Sequence, residues 1–250
     1  MSAYRGPLLV WSICSVLSVI EIVAIWLAAD ANSLIATYSR NQLITYSLLG
    51  TILGGLLNWN PFIGVKENIK DGTIASQALL KPISYIFERL FWELSWKSGA
   101  IIFNLSVFLI ALLFLRQNFE LPIGSVSPPF FLLSALLAMT IQFFFSFNLA
   151  LIAFWTTEVS PLNSLRWLGM SILGGSVIPI AFIPENFQPI VHLLPFRYMY
   201  SFPVEIIFNK LSSSEIMTGI FVQILWALFL VLIYKLLWKF GIRTYVSVGQ

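Results

Sequence analysis

The sequence offers few residues with reactive side chains. Its only histidine is His192 and its only cysteine is Cys14. One histidine excludes a two-histidine zinc protease motif and a histidine-rich di-iron site, and one cysteine excludes an intrachain disulfide or a cysteine-based metal site. No G-x-x-x-x-G-K-[ST] phosphate loop occurs, so the chain cannot hydrolyse ATP through that motif. Gly169-Met170-Ser171 and His192 mimic, on paper, a Gly-x-Ser nucleophile with a distant histidine base. They lie only 21 positions apart, and His192 falls in a proline-rich stretch. Gly169, Gly174 and Gly175 read as helix-packing residues instead. The sequence therefore names no catalytic residue and no metal site.

What remains is a small set of polar residues inside long apolar runs: Glu21, Asn104, Gln142, Asn148 and Gln223. Glu21 is nearly central in the first run, where an isolated charge costs a few kcal/mol on insertion scales. Two roles fit it: lining a substrate path or taking a proton, or pairing or staying protonated at a helix or subunit contact. Gln142 and Asn148 have the chemistry of interhelical hydrogen-bonding groups rather than ligands. Phe143-Phe144-Phe145 fits a lipid-facing or core role better than contact with a lipophilic substrate.

The elements that hold these residues are set by composition. Of 250 residues, 58% are hydrophobic and 10% charged, against roughly 45–50% and 25% in a soluble domain. Apolar runs long enough to cross a hydrocarbon core of about 30 Å recur along the chain. They lack the dyad alternation of a membrane barrel, so helices are the spanning element. The fold class expected is all-α: one polytopic transmembrane domain over residues 1–250. Its six spans are Leu8–Ala29, Leu43–Phe62, Ser98–Leu115, Phe130–Trp155, Leu165–Ile183 and Ile216–Trp238, the fifth interrupted by Pro179 and Pro184.

Loop charge gives the orientation. With the N-terminus inside, ten Lys and Arg fall on the inner side: Arg5, Lys66, Lys70, Lys81, Arg89, Lys97, Arg166, Lys235, Lys239 and Arg243. Four fall outside: Arg40, Arg116, Arg197 and Lys210. The positive-inside bias places both termini in the cytoplasm.

Two connections are expected to be folded. On the inner side, Asp71-Gly72-Thr73 opens a short helix ending at Lys81-Pro82, since proline disfavours helix in the residue before it. A second helix starts near Ser84, with the i,i+4 pairs Arg89–Glu93 and Glu93–Lys97 facing water. On the outer side, Pro179, Pro184, Pro189, Pro195 and Pro203 rule out one continuous helix between spans five and six. That segment is also rich in Phe and Tyr, too apolar for a solvated loop, and is expected to dip back into the membrane.

In this order the elements resemble the ABC-2 type permeases, in particular a branch that includes drug and viologen exporters. Ala3-Tyr4-Arg5 before the first span, Gln42-Leu43-Ile44-Thr45-Tyr46 and the inner stretch from Ile69 to Ser84 carry the likeness. That stretch is similar to the family's "I-x-x-G-x-[LI]…L-L-[KR]-P-[VI]-S" signature. Ile178-Pro179-Ile180, Pro184, Leu194-Pro195-Phe196 and the basic end from Trp238 to Gly249 extend it over nearly the whole chain. The likeness departs at the start: such permeases have a longer N-terminal stretch, often an inner-surface helix, and here the first span begins within seven residues of Met1.

The resemblance implies a permease that pairs with a second permease subunit, alike or similar, in the inner (plasma) membrane. It implies no cofactor of its own, ATP being bound by a separate ABC ATPase subunit. Asp71, Gly72, Leu79, Leu80, Lys81 and Pro82 would form the coupling helix that meets that ATPase. Pro179, Pro184, Pro195 and Phe196 would belong to re-entrant helices capping the exit side. The cargo expected is a lipophilic or amphiphilic small molecule. The rival reading is a membrane scaffold or assembly protein that holds a cytoplasmic partner without transporting anything.

Overall fold

The computed structural model describes residues 16, 17, 19–28, 38–74, 76, 82–118, 120, 128–176 and 179–244. Among these residues the chain is helical and has no β-strand. The elements are α1 (residues 19–27), α2 (Arg40–Leu57), α3 (Phe62–Lys70), α4 (Tyr85–Leu115), α5 (Pro128–Leu151) and α6 (Ser160–Ile172). They continue with α7 (Gln188–Leu193), α8 (Pro195–Met199), α9 (Ser201–Ile207) and α10 (Ser213–Thr244). Arg40–Lys70, Tyr85–Asn118, Pro128–Phe154 and Ser213–Thr244 are long and apolar enough to cross a membrane.

Local chemistry sets the helix ends. Ser39 and Gln42 form a reciprocal capping box, Gln42 N donating to Ser39 Oγ at 3.1 Å and Ser39 N to Gln42 Oε1 at 3.3 Å, which fixes the start of α2. α2 stops at Asn58, and Pro61 precedes a new helix whose buried face is Phe62, Val65 and Ile69. That i, i+3, i+7 stripe leaves Lys66, Glu67 and Lys70 off the core. Prolines stand in the first turns of α6, α7 and α8, where the missing N–H costs no intrahelical bond.

α5 is the central helix. It packs along α10 and also meets α2, α3, α8 and α9. One core joins Ala135, Ala138 and Ile141 of α5 to Tyr198, Phe202 and Ile206 of the short helices and to Ile220 and Ala227 of α10. A second core joins α3 to the C-terminal half of α5 through Phe62, Val65, Phe143 and Phe147. A third places Val19, Val23 and Trp26 of α1 against Ile44, Leu48 and Phe108.

Several boundaries differ from the sequence reading. Residues 8–15, 18 and 29 of the first expected span lie outside the described residues, and α1 falls within the rest of it. The span expected at Leu43–Phe62 is broken after Leu57, and Phe62 opens α3. The inner helix from Ser84 and the span from Ser98 are one helix, α4, of 31 residues and about 46 Å at 1.5 Å per residue. Nothing in its sequence breaks it, since no Pro or Gly stands between Tyr85 and Ser98. The fifth expected span is not a single helix to Ile183: α6 has 13 residues, about 20 Å, and stops before Gly174 and Gly175. Gly175 has φ +73, a left-handed turn suited to glycine.

The inner loop also holds a helix ahead of the expected one. Asp71 and Gly72 close a helix, α3, that the sequence reading missed. Asp71 N donates to Glu67 O at 2.8 Å, and Gly72 has φ +76, the conformation that ends helices. Helix resumes at Ile74 and Ser76. Leu79, Leu80 and Lys81 lie outside the described residues, and Pro82 precedes Ser84, the N-cap of α4.

Candidate functional site

At the α3 end of the bundle, two connections distant in sequence are docked on each other. Lys70 Nζ lies 3.5 Å from Glu158 Oε2, and Lys66 Nζ donates to Ser160 Oγ at 3.2 Å. Asn60 Nδ2 reaches Asn163 Oδ1 at 3.4 Å. Glu158 also accepts from the Ser160 backbone N–H at 2.7 Å. Hydrogen bonds from Ser160, with Lys70 nearby, hold the Glu158 carboxyl down at about 2. It is charged at every physiological pH. Asn68 Nδ2 donates to Tyr85 OH at 2.9 Å, which fastens the loop to the start of α4. Asp71 and Gly72 sit at the far tip of α3, with Thr73 Oγ1 bonded back to Asn68 Oδ1 at 3.3 Å.

Lys97 belongs to the same end and corrects an expectation. Rather than facing water as an ion-pair partner of Glu93, it is 6% exposed. Its ammonium donates to Gly55 O at 2.9 Å and also to Asn58 O. These carbonyls close α2, so the cation meets both the orphan acceptors and the negative end of the helix dipole.

The intramembrane polar residues fall into two groups. Gln142 and Asn148 are buried on α5: Gln142 Nε2 donates to Met199 O at 2.9 Å, and Asn148 Nδ2 to Leu230 O at 2.9 Å. Gln223 on α10 donates to Ser134 O at 3.1 Å and Tyr198 O at 2.9 Å. Glu21 is exposed on α1, turned away from the Val19–Val23 face that packs on the bundle. Phe143 is 2% exposed and packs its ring on Trp59 and Phe147, a core position.

At the opposite end, the short helices α7 to α9 form a compact cap. Pro195 is buried, and Phe196 packs edge-on against Phe145 at 5.5 Å. Arg197 Nη2 and Glu205 Oε2 are 2.7 Å apart and largely shielded, and Ser201 Oγ donates to Glu205 Oε1 at 2.5 Å. Trp226 Nε1 donates to Leu193 O, which ties the cap to α10, and Tyr46 OH donates to Gly175 O, which ties α2 to the turn after α6. Pro179 and Pro184 border an apolar cavity of about 690 Å³ between α6 and residues 179–194. Ser171 also lines it, but its hydroxyl donates to Trp167 O in its own helix. No hydrogen bond joins Ser171 to His192.

The sequence profile of the family described as ABC-2 family transporter protein matches residues 15–249. The chain belongs to the ABC-2 transporter family. No curated protein and no solved structure matches it. Membership, with several apolar helices, makes this ABC-2 protein a multi-pass membrane component of a transporter.

Sequence reasoning had singled out one side of the docked end of this ABC-2 protein, residues 71–82. It missed α3 itself and missed Glu158, Ser160, Asn163 and Lys97 as its supports. The one legible signal was the Phe62, Val65, Ile69 stripe among charged residues. The supports have none, because they are single polar residues whose partners lie tens of residues away.

Proposed function

We propose that this chain is the permease subunit of an ABC-2 exporter, driven by a separate ATPase and paired with a second permease, alike or similar. It crosses the plasma membrane six times with both termini in the cytoplasm. The apolar run Leu8–Ala29 is the first crossing. α6, continued by the chain toward Ile183, forms the fifth, and residues 179–207 re-enter from the outer side. The α3 end is then cytoplasmic, which agrees with the Lys and Arg bias. The cargo is a lipophilic or amphiphilic molecule, with which the chain's aromatic content of 16% is compatible.

The observation that carries this reading is the docking of Lys66 and Lys70 on Ser160 and Glu158. A bare connecting loop would need no such fastening. Here α3 is anchored on α5 by Phe62 and Val65 and on the start of α6 by its lysines. A push delivered near Asp71 and Gly72 would move α3, α5 and α6 as packed bodies, the hinge-and-shear kind of transmission. Asp71, Gly72, Leu79, Leu80, Lys81 and Pro82 form the contact with the ATPase. Detergent pulldown from native membranes should recover an ABC ATPase with this chain. Its absence, under conditions that keep known transporters intact, would overturn the reading.

A further inference from the structure

Arg166 is a buried cation without a counter-charge among the described residues. It sits two turns into α6 and is 6% exposed. Its Nε donates to Asn163 Oδ1 at 3.2 Å, the same oxygen that receives Asn60 Nδ2. The two Nη groups have no acceptor among the described residues, and no described carboxylate pairs with the guanidinium. Glu158 is taken up by Ser160 and Lys70. Of the eleven acidic residues, only Asp30 lies outside the described set. A guanidinium this buried is costly unless an anion completes it.

We infer that Arg166 binds the phosphate of a lipid head group at the α3 end of the bundle. The planar fork of arginine matches two phosphate oxygens, and Asn163 fixes its orientation by holding Nε. Lys66 on Ser160, two turns back along α6, adds positive potential on the approach. The surroundings select a lipid over a protein carboxylate. Leu165, Trp167 and Leu168, on either side of Arg166, are exposed apolar side chains. Tryptophan is enriched at head-group depth, and a basic pocket between membrane helices is a recurrent site for anionic head groups. The inference needs the membrane placement of α6 but no ATPase.

Native mass spectrometry of the full-length protein, delipidated in detergent, tests it with three probes: phosphatidylglycerol, phosphatidylcholine and inorganic phosphate. Wild type should retain phosphatidylglycerol more than phosphatidylcholine. Arg166→Gln should lower phosphatidylglycerol retention at least fivefold, and Arg166→Lys should fall between, since a point charge replaces the fork. Equal retention by wild type and Arg166→Gln overturns the inference. So does stabilisation of wild type by millimolar inorganic phosphate without lipid retention, which would assign a free ion. Loss of ATPase co-purification in Arg166→Gln with lipid retention intact would assign a protein partner and also overturn it. Arg166→Lys separates a binding defect from misfolding, because it keeps the buried charge. A failed ATPase pulldown with wild type leaves the lipid measurement unaffected.

Discussion

The side-chain amide of Gln142, in the middle of α5, donates to the backbone carbonyl of Met199 at 2.9 Å. Met199 ends α8, where the chain turns into α9, so a polar residue deep in the bundle holds the cap in place. Gln223 does the same from α10 through Tyr198 O. Two glutamines on the two central helices thus fasten adjacent carbonyls of one turn.

Replacing either glutamine by leucine keeps the volume and removes the donor. A buried carbonyl then loses its partner, which costs about 1 kcal/mol for Gln142→Leu and about 1–2 kcal/mol for Gln223→Leu, whose amide serves two carbonyls. Thermal unfolding in detergent should show both variants less stable than wild type, with Gln223→Leu the lower. Equal or higher midpoints would show that water supplies the carbonyls.

Lys97→Met should destabilise by about 1–3 kcal/mol, because the carbonyls of Gly55 and Asn58 lose their donor in a shielded position. Lys97→Arg keeps the charge but not the compact ammonium and should recover only part of the loss. If Lys97 faced water as its sequence context suggests, both variants would unfold with wild type.

Gly72 stands at φ +76, which costs a residue with a Cβ about 1 kcal/mol. Gly72→Ala should leave the protein in the membrane with a slightly weakened loop. Gly72→Glu adds a charge at the tip of α3 and should abolish ATPase co-purification while membrane abundance stays near wild type. Leu80→Glu should behave alike. Undiminished ATPase recovery from both charged variants would remove residues 71–82 from the contact.

Glu158 gives a pH dependence with a definite sign. Its carboxyl is held at about 2 in the folded chain against an ordinary 4.5. A depressed acid contributes stability that is fully present above the unfolded value and disappears as pH falls through the folded one. Wild type should therefore exceed Glu158→Gln in thermal midpoint above about pH 4.5, and the gap should close between there and about pH 2. The gap is small, since Glu158 is open to solvent and screened. A gap that widened on acidification would contradict the assignment.

Much of the architecture was legible because lipid imposes simple rules. Apolar length marks a spanning helix, and each of the four long stretches overlaps an expected span: residues 43–62, 98–115, 130–155 and 216–238. Their true ends were less legible. Ser39 with Gln42 is a readable start, but α4 reaches back to Tyr85 across charged residues that look like a separate surface helix. Glu88, Arg89, Glu93 and Lys97 resemble a solvated face in sequence, and only the fold turns Lys97 toward the end of α2. The α6 stop was half visible, since Pro179 announced trouble and Gly174-Gly175 delivered it earlier.

The sequence by itself determined that the chain lives in a membrane, that its spanning elements are helices, and that its likeness is to the ABC-2 permeases. Those properties follow from quantities that add along the chain: apolar length, loop charge and short local motifs. The tertiary structure decided which polar residue meets which backbone group. Gln142 meets Met199, Lys70 meets Glu158, Lys97 meets Gly55, and Arg166 meets Asn163 with its outer fork left open. Pairings of the first three kinds join residues 42 to 88 positions apart. Local propensity carries no information at that range, because the energy of each bond depends on where two distant backbones come to rest.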